Sequence, residues 1–465
     1  MIINKYSKNV LISTLPGFLA ILLSFFSIPI FLQNLGLDKY GNYLILHIIL
    51  SITLVTNFNL GKIASIRMQK VSKDEKEKII YTTLILSFVS SLFVTIIFFG
   101  VVSYIKTIFN FDFFIDIKYL YFSIFLSNIY ITLENLSKAN KFFLLSGISN
   151  LIFYSLSISA PSFVFFFEIK YFNNPINLFI ISFYLKLTGV FLLLIFLIYK
   201  KLIITKISKI IIDDFKNIVK WQTLSSIYNQ IFKFIDKYII KIILGSASLT
   251  IYSIPQQIAE KLSIISEGII SVLLPKIASK KNSTNRNFIF SSNLYVFFYS
   301  IGFFIIIFAS IFDDMIIWWL EIGTGNQIIF LFKIFIITSY YECMTYIIST
   351  YYDTRFQSKK NTQIDTLVLL IFLVGLIVAI KYNNLNYFAF TLLFKSLLLF
   401  CLKINYIKKD IINLKTFLLQ NFIFLITFLS AILELYYFYI LTCFLFLIIM
   451  IFTVPYRLLK KEFLK

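Results

Sequence analysis

Lys186, Lys233, Lys237, Lys261 and Lys395 each stand near the middle of a long apolar stretch of this chain. A lysine at the centre of a bilayer costs about 2.5–3.5 kcal/mol, so five of them facing lipid would cost on the order of 12–18 kcal/mol, comparable to the whole stability of a domain. They must face a wet cavity or pair with acids. Asp236, Glu260 and Glu342 stand at similar depth and are the candidate partners. Lysines clustered in a cavity suit an anionic cargo, a phosphate or pyrophosphate above all. An intramembrane carboxylate suits ion pairing, or coupling to a proton or a sodium ion.

The spacing sorts these residues into helical faces. In 222–243, Ser226, Asn229, Gln230, Lys233, Asp236, Lys237 and Lys241 follow steps of three and four within an arc of about 140°. Ile227, Ile231, Phe232, Ile235 and Ile239 fill the opposite face. Asp236 can neutralise only one neighbour, so the polar face stays cationic. A second stripe in 251–274 holds Ser253, Gln256, Gln257, Glu260, Ser263 and Glu267, with Lys261 at its edge. In 326–352, Thr338, Tyr341, Glu342, Thr345, Ser349 and Tyr352 recur at helical spacing, and in 117–136 Asn128, Thr132 and Asn135 do so. Amides, hydroxyls and tyrosine rings suit a sugar. The same groups serve interhelical hydrogen bonding in membranes, and for 117–136 both uses stand. His47, the one histidine, is read as a packed ring bonded to a neighbouring helix, with proton relay as the alternative. Cys343, Cys401 and Cys443 are scattered and read as packing residues, so no metal is expected. The sequence holds no phosphate-binding glycine loop, zinc-protease or nucleophile-elbow motif.

The elements that position these residues are membrane helices. The 465 residues are 59% hydrophobic and 14% charged, with a net charge of +21. Mean hydropathy is +0.88. That balance excludes a soluble globular domain. A hydrocarbon core needs about 20 apolar residues per helix, and about fourteen stretches of that kind can be counted: 9–33, 41–62, 79–106, 117–136, 143–168, 176–199, 222–243, 251–274, 288–312, 326–352, 362–381, 385–402, 416–433 and 435–454. The last two form a hairpin around Glu434, without which the count is twelve. Alternating segments of about ten residues, the mark of a membrane β-barrel, are missing. The expected fold is therefore an all-α integral membrane bundle of 12–14 spans. Basic residues crowd every second loop: Arg67 to Lys78, Lys138 and Lys141, Lys200 to Lys220, Lys276 to Arg286, Arg355 to Lys360, Lys403 to Lys415, and Arg457 to Lys465. The positive-inside rule places both termini in the cytoplasm, and the basic excess calls for no nucleic acid. The first apolar run is too long for a cleaved signal peptide and is expected to stay as a helix.

The expected organisation is a six-helix lobe over 1–199, a basic connector over 200–221, a second six-helix lobe over 222–402, and a hairpin with a basic tail over 403–465. A short echo links the lobes. Leu35-Gly36 precedes Tyr43, and Leu244-Gly245 precedes Tyr252 at the same spacing. Six spans per lobe give the lobes one orientation, related by an axis along the membrane normal. Tyr40, Tyr43, Tyr119 and Tyr121 read as interface anchors, and Pro16 and Pro29 as kinks in the first span.

Pro29 to Tyr43, Asn59-Leu60-Gly61 with Arg67, Phe234 to Ile240, Leu244-Gly245, Tyr252-Ser253-Ile254 and Leu274-Pro275 resemble the polysaccharide repeat-unit flippases of the MOP (MATE-like) exporter superfamily. The resemblance implies a two-lobed transporter that moves a lipid-linked oligosaccharide, carried on undecaprenyl pyrophosphate, across the bacterial inner membrane for O-antigen or capsule synthesis. It implies a bending first helix, membrane lipids as surroundings, and a polysaccharide polymerase and chain-length regulator as partners. No cofactor is implied beyond a coupling proton or sodium ion. On this basis Lys233, Lys237, Lys186, Lys261 and Lys395 are candidates for the pyrophosphate. Asn128, Asn135, Gln230, Gln256, Gln257 and Tyr341 are candidates for sugar or cavity lining, and Asp236, Glu260 and Glu342 for ion coupling or pairing. Twelve spans suit these flippases and fourteen the peptidoglycan-precursor flippases. A drug exporter of the same fold, whose cavity would more often be acidic, and a multi-span oligosaccharide polymerase, which would carry a long arginine-bearing outer loop, are the remaining alternatives.

Overall fold

A computed structural model describes residues 2–53, 60–68, 71–109, 117–140, 142–167, 174–199, 220–261, 325–354, 358–407 and 421–426, with a few isolated positions. Among these residues there is no strand. The helices are α1 (Ile2–Thr53), α2 (Leu60–Met68), α3 (Lys73–Phe109), α4 (Ile117–Ala139), α5 (Phe143–Asn150), α6 (Pro175–Tyr199), α7 (Lys220–Glu260), α8 (Gly325–Thr354), α9 (Ser358–Tyr382) and α10 (Leu385–Ile407). Helix is what apolar composition dictates in lipid, because each segment must satisfy its own backbone groups. Seven helices among the described residues are long and apolar enough to cross a membrane. Their lipid-facing character shows in exposed apolar side chains such as Ile96, Val374 and Ile377. The expected spans at 288–312 and 435–454 lie outside the described residues, as do parts of 251–274 and 416–433, and nearly all of the 200–221 connector.

The described residues gather into two compact units. One spans Ile12–Thr250 and Phe356–Thr366, the other Met1–Leu11, Ile251–Arg355 and Leu367–Lys465. In the first, α4 packs against α2, α3, α5 and α6. Gly61 allows the approach of α2, since a Cβ there would lie 2.9 Å from the Asn135 Cβ. In the second unit, α8 and α10 form the main pairing.

The first span does not break at its prolines. The non-helical residue of α1 is Gly36 (φ 73°, ψ 172°), and α7 breaks in the same way at Gly245 (φ 88°, ψ 177°). This backbone region is almost reserved for glycine, because a Cβ would clash with the flanking carbonyl. The two copies of the sequence echo therefore share one local conformation. Their tyrosines are buried too: Tyr43 and Tyr252 are fully enclosed, as is Tyr40. Tyr40 and Tyr43 are thus interior side chains and not interface anchors. Both pack on Phe31, at ring distances of 5.2 and 5.1 Å.

After α5 the chain departs from a plain helix. Leu151–Leu156 winds as a π-turn, Ser157–Ser159 returns to α, and Ala160–Phe167 is 3-10. Pro161 lacks an N–H and removes a ladder bond. Serine hydroxyls replace part of the ladder: Ser159 donates to the Ser155 carbonyl at 2.6 Å and Ser162 to the Ser159 carbonyl at 2.7 Å. Tyr43 donates to the Ile158 carbonyl at 2.9 Å, which ties α1 to the irregular segment.

Candidate functional site

In the first unit, the polar face of α7 runs from open to buried. Asn229 and Lys233 are exposed, whereas Asp236 and Lys237 are buried. The Lys237 ammonium lies 5.2 Å from the centre of the Phe234 ring. One turn on, Lys241 reaches the Asn42 side-chain oxygen, which Ser246 also approaches at 3.0 Å. Along this face the exposed Lys233 precedes a buried Asp–Lys step and a half-buried Lys241. Gln230 lies on the same face with a buried, unbonded Oε1.

Lys186 of α6 sits elsewhere in this unit. It lines a void of about 30 Å3 together with His47, Ser127, Phe153, Tyr154 and Ser157. That volume holds about one water. Asn128 and Asn135 of α4 turn their amides onto their own helix, donating to Ile124 and Ile131 carbonyls at 3.0 and 2.9 Å. Thr132 between them accepts from Ser87 of α3 at 2.8 Å.

The second unit brings together two of the expected residues. Lys395 of α10 and Glu342 of α8 form an ion pair at 2.5 Å. Next to Glu342, the Tyr341 hydroxyl donates to the Asn421 carbonyl at 3.3 Å, and Tyr340 donates to the Asn421 side chain at 3.4 Å. Two turns along, Lys403 donates to Ser349 at 2.8 Å. The sequence places Lys403 in a basic loop, but α10 continues to Ile407 and buries it. Lys333 of α8 is likewise buried. Lys395 also lines a groove of about 350 Å3 between α9 and α10, otherwise walled by residues such as Phe372, Val374, Phe390 and Phe394. Of the expected residues on 251–274, Gln256 is buried with an unbonded Oε1, while Gln257, Glu260 and Lys261 are half-buried.

One cluster escapes the sequence reading. Asp365 of α9 is fully buried and accepts from Ser225 of α7 at 2.7 Å. Asn361, one turn earlier, lies 3.5 Å from the same Ser225 hydroxyl and has an unbonded, buried Oδ1. Thr362 donates to the Trp221 carbonyl at 2.9 Å. Carboxylate, amide and hydroxyl oxygens of this kind can hold a small hard cation. The i, i+4 spacing of Asn361 and Asp365 was the available signal. It is masked in the sequence by the adjoining Lys359 and Lys360, which read there as part of a basic loop but belong to α9. Among the described residues no group of His, Cys, Asp and Glu has the make-up of a metal centre.

No protein-family model and no curated protein matches the sequence. Solved structures do. A MOP superfamily transporter from Pyrococcus furiosus, described by the reverse polarity of its binding pocket, is 12% identical, with 88% of this chain and 96% of that chain covered at a TM-score of 0.62. An outward-facing multidrug resistance MATE family transporter of the MOP superfamily is 11% identical over 86% and 95% of the two chains, at a TM-score of 0.65. The MATE transporter ClbM in complex with Rb+ is 13% identical over 86% and 94%, at 0.60. At such identities the likeness speaks for architecture. The chain has the all-helical, multi-pass membrane fold of the MOP superfamily transporters.

Proposed function

We propose that the chain is a flippase that carries undecaprenyl-pyrophosphate-linked oligosaccharide units from the cytoplasmic to the outer face of a bacterial inner membrane, for surface polysaccharide synthesis. The observation that carries this reading is the charge of the α7 face, where Lys233 is open and Lys237 buried while Asp236 offers one opposing charge. Pocket polarity is taken to suggest function in the P. furiosus neighbour. The same logic favours an anionic cargo here. Lys233 meets the pyrophosphate first and Lys237 deepens the site; each ammonium donates charge-assisted hydrogen bonds to phosphate oxygens. The sugar travels in water, which removes the cost of drawing its hydroxyls through hydrocarbon. The polyprenyl tail stays in lipid. Rocking of the two repeats exposes the sugar outside, coupled to a proton or sodium ion at an intramembrane carboxylate. A polymerase and its chain-length regulator then take the product.

A MATE-type exporter of small solutes is the second reading, favoured by the neighbours of known fold. Deletion and rescue separates the two. In a bacterium whose glycan locus encodes this chain, undecaprenyl-linked units are extracted and assigned to a membrane face. Single units stranded on the cytoplasmic face, rescued by wild type and not by Lys233→Ala or Lys237→Ala, support the flippase. Stranded lipid-linked peptidoglycan precursor assigns the other flippase class. Units that reach the outer face but remain unpolymerised point to a polymerase. An unchanged glycan with altered drug sensitivity supports the exporter.

A further inference from the structure

We propose that the void beside Lys186, in the first unit and separate from the α7 face that serves the cargo, is a site for one monatomic anion, a chloride or bromide ion.

Lys186 is 6% exposed, and no carboxylate is among the residues lining its void. Its ammonium has the Phe153 ring at 5.4 Å from the centroid. That contact eases the charge but does not neutralise it. A buried ammonium without a counter-charge is among the least favourable arrangements that a membrane helix can hold. The other polar groups on the void are the His47 ring and the hydroxyls of Ser127, Tyr154 and Ser157, each of which can donate a hydrogen bond, although the Ser157 hydroxyl already donates to the Phe153 carbonyl at 2.5 Å. Donors around a cation make an anion site. Volume then selects the anion. About 30 Å3 accepts one ion of the size of a water molecule or slightly larger, and excludes phosphate, sulfate and carboxylates.

The walls are built to keep this shape. Phe153 stacks flat on Tyr130 at 3.8 Å with 4° between the rings. His47 is wedged edge-on between Tyr43 at 4.7 Å and Phe179 at 5.6 Å. Phe153 and Tyr154 belong to the π-turn Leu151–Leu156. Such turns persist where a local function requires them, because the regular ladder is the more stable alternative.

The test uses the purified full chain in detergent. Sodium gluconate is exchanged for sodium bromide or chloride at fixed ionic strength, and the thermal midpoint is followed. The line width of 35Cl, which broadens when chloride exchanges with a protein site, is followed in parallel. The expected result is a saturable rise of the midpoint, since a ligand that binds only the folded state stabilises it, and a 35Cl broadening that bromide reverses. Both disappear in Lys186→Met and persist in Lys359→Met, which removes an exposed cation. Should Lys186→Met fail to fold, Ser127→Ala supplies the second arm, with halide affinity lowered several-fold. The proposal is overturned by a wild-type midpoint that ignores halide, by an equal response to sulfate, by a 35Cl line that stays narrow, or by an unchanged halide response in both Lys186→Met and Ser127→Ala.

Discussion

The Thr250 hydroxyl donates to the Leu37 carbonyl at 2.7 Å. Leu37 follows Gly36 and Ser246 follows Gly245, while Gly41 and Thr250 each lie five positions past their glycine. Exchange of the two repeats therefore turns the pair Leu37–Thr250 into Ser246–Gly41. That second pair is also in contact, since a Cβ on Gly41 would lie 2.3 Å from the Ser246 carbonyl oxygen and 2.9 Å from the Thr250 hydroxyl. A contact that maps onto itself when its halves are exchanged is what a two-fold relation between repeats produces. In the alternating-access transport proposed above such a contact is expected to open and close, so its close packing bears on that proposal.

Gly41→Ala is expected to force this contact apart. The obstructing atom is backbone oxygen, which cannot rotate away as a side chain can. Overpacking of this kind costs about 1–3 kcal/mol. The expected outcome is a lowered thermal midpoint with loss of cargo movement in the rescue assay. Gly100→Ala, with nothing within 4 Å of its added Cβ, serves as the control and keeps both. Equal behaviour of the two variants would show that the contact is dispensable.

Gly36→Ala and Gly245→Ala probe the breaks themselves. Nothing lies within 4 Å of a Cβ at either position, so any cost comes from backbone conformation alone. For a non-glycine residue held in this region the cost is about 1–3 kcal/mol. The two variants should lose similar stability, because the two breaks have nearly the same φ and ψ. Denaturation of each in detergent checks this, and a neutral Gly245→Ala would show that α7 can run straight through.

The echo around Gly36 and Gly245 was legible in the sequence because a positive φ prescribes the residue type. Helical spans were legible for a similar reason: lipid leaves the backbone one choice, and composition reports lipid. Side-chain partners were not. Glu342 and Lys395 are separated by 53 residues, and Ser225 and Asp365 by 140, so no local pattern couples them. Tyr43 misled because a tyrosine near a span end looks the same at an interface as it does beneath an irregular helix. The π-turn at Leu151–Leu156 had only serines and Pro161 to announce it, and those residues also occur in straight membrane helices.

Asp365 is expected to matter more than its loop-like neighbourhood suggests. Removing it by Asp365→Ala takes the acceptor from Ser225 and leaves a buried hydroxyl without its bond, at about 1–3 kcal/mol. Ser225→Ala should cost at least as much, since it takes a hydrogen-bond donor from a fully buried carboxylate. If the oxygen cluster holds a cation, replacing potassium by sodium raises the wild-type midpoint, and Asp365→Asn abolishes that rise. A midpoint that is blind to the cation in both proteins assigns the cluster to packing.

The Glu342–Lys395 pair should respond asymmetrically to removal of its two partners. The Lys395 side chain is 2% exposed and that of Glu342 28%. Glu342→Gln strands an ammonium that cannot reach water, and breaking a buried pair in this way costs about 3–5 kcal/mol. Lys395→Met strands a carboxylate that water can still solvate, so solvent screening lowers its cost to about 1 kcal/mol. The double variant removes both charges, and its cost should fall below that of Glu342→Gln alone. A double-mutant cycle in detergent measures the coupling. Additive single effects would show that the two groups do not interact in the folded protein. Full transport by the double variant would also exclude Glu342 as the carboxylate that couples an ion to cargo movement, because the ion would have lost its ligand while the fold had kept its stability.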